Sequence, residues 1–226
     1  ANKEQRGYIT PQEFNLFADY AQLGIFEEYF YDLDQRQAAI GNETDYSDIV
    51  SNIEEKISLF EVYGTNIDPS DLNVLVDNSG NDINIYRLGS VKVLYSTDPN
   101  YKIADRMKLN EMYKFQNSPL AAPKKSRPVY TEFSTDDSPI TIGIEPSIDI
   151  IGVTIDYVKK PSAPSWTYII SSTGNALYNE NTNTQHFELH PSEENNLISK
   201  ILQLSGVSLK DVNLIQAAVQ EQANIQ

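Results

Sequence analysis

Two histidines are the first residues in this sequence whose type and spacing could support chemistry. His186 and His190 are four residues apart, a separation that suits a zinc site on one face of a helix. Pro191, however, predicts a helix that begins after both histidines, so the pair would straddle a strand-to-helix junction. No carboxylate with zinc-protease spacing accompanies them. We therefore predict no metal site and no cofactor.

Acidic side chains could also form the carboxylate pairs that serve general acid and base catalysis. Asp32 with Asp34 and Glu54 with Glu55 are examples, but 32 acidic residues make such pairs expected by chance. The segment 77–82 is rich in Asp and Asn, yet an EF-hand needs a longer loop that ends in a bidentate glutamate. A hairpin turn explains this segment better.

Motifs that would anchor an enzymatic function are missing from the sequence. It contains no phosphate-binding GxxxxGK[ST], no dinucleotide-binding GxGxxG and no nucleophile-elbow GxSxG. It also has no cysteine, which excludes disulfides, thiolate metal sites and cysteine nucleophiles. The sequence therefore predicts a protein that is not an enzyme, with a carboxylate-based hydrolase as a remote alternative.

The charge balance argues against binding of nucleic acid. The chain has 17 Lys and Arg against 32 Asp and Glu, a formal net charge of −15. Non-specific binding to DNA needs basic side chains that displace counterions from the phosphates, so DNA should pass this protein without specific binding.

No stretch approaches the roughly 20 apolar residues that span a bilayer, which disfavours a membrane role. The 14 Tyr and 8 Phe suit protein–protein surfaces.

Two local features could bind a partner. The proline-punctuated segment 117–128 contains Lys124, Lys125 and Arg127 and is predicted to be an extended, exposed loop. Its basic side chains would either keep the loop soluble or contact an acidic neighbouring subunit or phosphates. Trp166 follows a second proline-rich stretch and is predicted to pack on a sheet, with sugar binding as the alternative.

Helical patterns occupy both ends of the chain. Thr10, Pro11 and Glu13 form a capping box with a first-turn proline, which predicts a helix beginning at Pro11. Apolar residues downstream form two stripes, so more than one neighbour should cover this helix. A second helix is predicted to end at Gly64, a typical C-cap residue. A C-terminal helix begins near Pro191 and is capped by Gly206.

The middle of the chain has strand patterns. Runs rich in Val, Ile and Tyr, separated by Pro, Ser, Asp and Gly, predict an antiparallel sheet; they span 72–76, 83–88, 91–95, 129–133, 140–144, 150–158 and 166–170. We therefore predict an α+β fold in which N- and C-terminal helices form a helical bundle (residues 1–66 with 187–226). Residues 67–186 would be a β-rich antiparallel insert in the middle.

Five segments of the sequence resemble structural proteins of podovirus-like tailed phages, especially neck or connector adaptors of crAss-like and marine phages. The segments lie at both termini and in the β-rich centre, and none is a catalytic signature. They are NKEQRGYITPQEFN (2–15), RPVY (127–130), IGIEP (142–146), YVKKP (157–161) and ILQLSGVSLKD (201–211).

This resemblance implies a virion protein that joins capsid to tail. Such adaptors assemble as a twelve-copy ring below the portal protein, contact other neck and tail ring proteins, and let DNA pass through the lumen. By analogy, the segment 211–226 would dock into the portal through Val212, Ile215 and Val219, and Lys124, Lys125 and Arg127 would form the second contact. The β-rich middle is larger than in small adaptors, which leaves the position within the neck open. The alternative is a tail- or capsid-associated module that binds a glycan or a protein.

Overall fold

A computed structural model describes residues 9–38, 44–70, 72, 76, 80, 82–134, 140–172, 174, 176–179, 184–209, 216, 219 and 220. The helices in this part of the chain are α1 (Pro11–Ala38), α2 (Thr44–Ser58), α3 (Leu109–Gln116), the 3-10 helix η1 (Pro191–Glu193) and α4 (Glu194–Leu209). The strands are β1 (Glu61–Ile67), β2 (Ile85–Tyr95), β3 (Lys102–Arg106), β4 (Val129–Phe133), β5 (Thr141–Glu145), β6 (Ile150–Lys159), β7 (Tyr168–Ile170) and β8 (Ala176–Tyr178).

The chain divides into two compact units. Residues 1–59 with 161–226 form the first, which we call the helical unit, and residues 60–160 form the second, the sheet unit. The sequence itself predicts boundaries at 66/67 and 186/187, and these stay a prediction.

The sheet unit is built on a six-stranded mixed sheet with the order β1-β6-β2-β3-β4-β5. All neighbouring strands are antiparallel except β3 and β4, which pair in parallel. Parallel neighbours need a long crossover connection, and residues 107–128 supply it with α3 and the proline-punctuated loop. The basic loop is therefore part of this crossover.

The sheet curls so that its two edges approach each other. The Ile142 amide of β5 donates a hydrogen bond to the Leu72 carbonyl (3.1 Å), in the chain that leaves β1 at the opposite edge. The curled sheet encloses an apolar core to which all six strands contribute. Its residues are Ile67, Val91, Val93, Tyr95, Ala104, Tyr130, Ile142, Ile144, Val153 and Ile155. Burial of this surface is the main stabilising term of the unit.

One aspartate joins two irregular positions of this sheet. Asp156 of β6 accepts hydrogen bonds from the Gly64 amide (2.9 Å) and the Ser90 hydroxyl (2.5 Å), and it pairs with Lys92 at 2.5 Å. The register of β1 shifts between Val62 and Thr65, around Gly64, whose φ is +77°. The prediction that Gly64 ends a helix is thus wrong: α2 ends at Ser58, and Gly64 supplies the positive φ of a bulge within β1.

Helix α1 is the central element of the helical unit and packs against α2 and α4. The predicted capping box is confirmed: the Glu13 amide donates to the Thr10 hydroxyl (3.2 Å), and the Thr10 amide donates to the Glu13 carboxylate (2.8 Å). One predicted apolar stripe is buried, as Ala18, Ala21 and Ile25 are each at most 1% exposed. The second predicted stripe is only partly covered, since Phe26 is buried whereas Leu16 and Tyr20 are exposed; its members are Leu16, Tyr20, Leu23, Phe26 and Phe30.

Two amide side chains of α1 hold the chain that returns from the sheet unit. Asn15 makes two hydrogen bonds to the backbone of Trp166, at 2.9 and 3.2 Å. Gln22, which is completely buried, donates to the Ser162 carbonyl (2.8 Å) and accepts from the Glu188 amide (2.9 Å). These bonds satisfy backbone groups of a segment that has little regular structure of its own.

A polar network connects the three longer helices of the helical unit. Lys56 of α2 forms a salt bridge with Glu193 of η1 (2.5 Å), and its ammonium lies 5.7 Å from the centre of the Tyr29 ring. Asn196 of α4 donates to the same carboxylate (3.0 Å). Burial alone would raise the pKa of Glu193, but the hydrogen bonds from Lys56 and Asn196 and the nearby charge of Lys56 and Lys200 together lower this pKa.

The predicted architecture, a terminal helical bundle with an antiparallel β insert, is wrong. The fold is α+β, but α3 packs on β4 in the middle of the chain, and the sheet is mixed because that crossover makes β3 and β4 parallel. The unit that holds α1, α2 and α4 also contains the β7–β8 hairpin and the irregular segment bonded to Asn15 and Gln22. Gly206 is buried inside α4 and is not its cap.

Candidate assembly surfaces

The three predicted basic residues lie together in a turn of the crossover loop. Lys124 and Arg127 pair as an antiparallel bridge, with the Arg127 amide donating to the Lys124 carbonyl at 2.8 Å. Lys125 forms a salt bridge with Asp149 and lies 6.0 Å from the centre of the Tyr95 ring, so it anchors the turn to the sheet. Lys124 is exposed and has no salt-bridge partner among the residues that the structure describes.

The turn forms one wall of an open groove of about 950 Å³. Its basic residues are Arg106, Lys124 and Arg127, and its apolar residues include Phe115 and Leu120, the latter 95% exposed. Arg127 pairs with Asp105 (3.0 Å) and Arg106 with Glu132 (2.9 Å), but both arginine side chains are mostly exposed. Exposed ion pairs contribute only about 0–1 kcal/mol, so an incoming carboxylate can replace either partner at little cost.

Charge is unevenly divided between the two units. The sheet unit holds 11 of the 17 basic residues but 14 of the 32 acidic ones, a formal net charge of −3. The helical unit carries the remaining 6 basic and 18 acidic residues, a net charge of −12. Within the sheet unit, residues 102–127 have seven Lys and Arg against two acidic residues. The groove therefore lies in the most basic segment of a strongly acidic chain.

Helix α1 presents a second exposed surface, which we call the α1 stripe. Its members are spaced three, four or seven residues apart, which places them on one face of the helix over about 27 Å. They are Leu16 (53% exposed), Tyr20 (64%), Glu27, Tyr31 (62%) and Asp34. An isolated exposed apolar side chain is ordinary, but a row of three with interspersed carboxylates is typical of a surface that another protein covers.

The predicted C-terminal docking residues lie mostly outside the described part of the chain. This holds for Val212 and Ile215, whereas Val219 is helical and 46% exposed. The role of these residues stays a prediction.

Trp166 lies in an aromatic cluster of the helical unit. Tyr168 and Tyr178 are directly opposite each other in the β7–β8 hairpin, and both rings stack on Trp166, with centroids at 6.0 and 6.5 Å. Phe14 of α1 meets the Trp166 ring edge-on at 6.4 Å. Trp166 is half-buried. The cluster therefore attaches a short hairpin, which would be unstable alone, to α1.

We expect the Trp166→Ala variant to lose about 2 kcal/mol of unfolding free energy, roughly half the cost of deleting a fully buried Trp. Urea denaturation of the variant and of the control Tyr178→Ala, a residue that is 49% exposed, measures the effect. The control should lose less than about 1 kcal/mol because less area is buried. A Trp166→Ala variant that keeps its stability but loses binding on a glycan array would instead favour the sugar-binding alternative.

The two histidines have different surroundings. His190 caps η1, with its Nδ1 accepting from the Ser192 amide at 3.2 Å, and His186 is exposed. Within the described ranges, no three His, Asp or Glu side chains come together in a way that could hold a metal ion. In the same residues, no helix is both long and apolar enough to cross a membrane.

Comparison with known proteins does not assign the chain to a class. No protein-family model matches the sequence. A search of curated proteins also finds no significant match.

Proposed function

We propose that this chain is a structural subunit of a tailed-phage virion, a head-to-tail connector protein that assembles as a ring below the portal. The observation that carries the proposal is the presence of two exposed surfaces that combine apolar side chains with charge of opposite sign, the groove and the α1 stripe. Surfaces of this composition suit contacts between subunits. The resemblance of five segments to neck and connector proteins supports the virion role in particular.

The net charge of −15 is compatible with this role. A ring that lets DNA pass must not retain it, and an acidic lumen repels phosphates. In this proposal the partners are other copies of the chain, the portal protein and neighbouring neck or tail rings. The segment 211–226 is the proposed portal-docking segment, with Val219 as its described apolar residue.

Native mass spectrometry tests the proposal, using the purified protein alone and mixed with the portal protein from the same genome. We expect a multimeric ring that binds the portal protein. A chain truncated after residue 210 should fold but no longer bind the portal protein. If the truncated chain still binds the portal protein, the segment 211–226 is not the docking segment. The connector function itself would not be contradicted. A well-folded monomer that does not bind the portal protein would contradict the connector function and favour the glycan- or protein-binding module.

A further inference from the structure

The groove and the α1 stripe have complementary composition, and both include exposed apolar side chains. The groove presents Arg106, Lys124 and Arg127 beside exposed Leu120 and Phe115. The α1 stripe presents two carboxylates among Leu16, Tyr20 and Tyr31. Asp105 and Glu132 pair with two of the groove's arginines, so the groove keeps a small net positive charge, whereas both charged members of the α1 stripe are acidic.

We propose that the groove of one copy binds the α1 stripe of a second copy. The inference rests on the proposed function in that it specifies the contact between subunits. Charge complementarity identifies the helical unit of a second copy as the partner of the groove. The helical unit has a formal net charge of −12, and the segment that lines the groove is the only strongly basic part of the described chain. Opposite potentials of this kind accelerate association and select the partner surface.

The contact joins two different surfaces, the groove in the sheet unit of one copy and the α1 stripe in the helical unit of the other. Two copies joined by a single such contact leave one groove and one α1 stripe free for further copies. Contacts of this type close into a ring when the rotation between neighbours permits it.

The energetic contributions also differ between the two kinds of side chain. Leu120, Tyr20 and Tyr31 would supply the buried apolar area at the centre, where aromatic side chains dominate binding. Lys124, Arg127, Glu27 and Asp34 would lie closer to solvent, so their attraction should weaken with salt.

Charge reversal on each surface tests the contact. The groove variant carries Lys124→Glu with Arg127→Glu, and the stripe variant carries Glu27→Lys with Asp34→Lys. Sedimentation velocity over a concentration series measures self-association, alone and with the portal protein, and circular dichroism verifies folding. Each variant should weaken association at least tenfold, and mixing the two variants should restore it, because the mixture contains one intact groove and one intact stripe.

Lys160→Glu and Glu54→Lys are matched controls, since both residues are exposed and lie outside the two surfaces. They should associate like the wild type. The proposed contact is wrong if the wild type associates and the surface variants associate equally well, or if mixing the two variants does not restore association. The connector function would still stand in either case. If the wild type stays monomeric even with the portal protein, both proposals fail. A groove variant that loses only binding of a DNA duplex would likewise overturn the contact.

Discussion

Replacement of Gln22 by leucine is expected to lower the free energy of unfolding by about 2 to 6 kcal/mol. Gln22 is 0% exposed, and its amide bonds two backbone groups, the Ser162 carbonyl and the Glu188 amide. Leucine has a similar size but can neither donate nor accept, so both backbone groups lose their partner. Each buried polar group left unsatisfied costs about 1–3 kcal/mol.

Urea denaturation gives the overall loss, and hydrogen exchange locates it. We expect faster exchange in 161–166 and 184–190, the segments that Gln22 holds against α1, with little change in the sheet unit. Gln12→Leu is the matched control, because Gln12 lies exposed on the same helix. If Gln22→Leu is as stable as Gln12→Leu, the amide does not hold the returning chain.

This role of Gln22 illustrates what the sequence cannot reveal. Apolar periodicity predicts which face of α1 is buried, and Ala21 and Ile25 are indeed in the core. A glutamine within that face counts as polar in the pattern, although here its partners are backbone groups about 140 and 166 residues away. The segments 161–165 and 184–190, which Gln22 helps to hold against α1, therefore carry no sequence signal for their position.

Local signals predicted the structure well where the cause is local. The Thr10–Glu13 capping box sets the start of α1, and the Val129–Phe133 run forms β4 with the predicted bounds. The prediction for Gly64 was wrong because positive φ, which favours glycine, serves a β-bulge as well as a helix C-cap. Its place in β1 depends on pairing with β6 and on the bond to Asp156, 92 residues away.

Only some residues of the candidate surfaces could be predicted from the sequence. Composition singles out Lys124, Lys125 and Arg127, since basic clusters are rare in this acidic chain. It does not separate Lys125, which is tied to Asp149, from its two neighbours at the groove. Arg106 joins them because β3 pairs with β4, and the exposure of Tyr20 depends on which helices pack against α1. Both facts are properties of the tertiary structure.

Replacement of Asp156 by alanine should cost the sheet unit about 2 to 4 kcal/mol. The carboxylate accepts from the Gly64 amide and the Ser90 hydroxyl and pairs with Lys92, and its side chain is only 14% exposed. Removing it leaves these groups without their acceptor and Lys92 without its counter-charge. Asp98→Ala is the control, since Asp98 pairs with Lys102 near the surface and should contribute less than about 1 kcal/mol.

The same carboxylate should make stability depend on pH in the acid range. Burial acts to raise the pKa of Asp156, but the hydrogen bonds from Lys92, Ser90 and Gly64 and the charge of Lys92 bring this pKa below its ordinary 3.8. Glu193 likewise has a pKa below 4.5. A lowered folded-state pKa means that the unfolded chain binds protons first, so the stabilisation is complete above the unfolded-state pKa and declines as pH falls through the folded-state value.

Unfolding free energy should therefore fall progressively below about pH 4.5, where unfolded Glu and Asp begin to bind protons. Urea midpoints at pH 7, 5, 4 and 3 measure the dependence for the wild type and for Asp156→Asn. The asparagine keeps an acceptor for the Gly64 amide but cannot titrate, so the variant should start less stable at pH 7 and lose less on acidification. Two parallel curves would mean that another carboxylate carries the acid sensitivity, and Glu193→Gln, which removes the second lowered carboxyl, would then be the variant to measure.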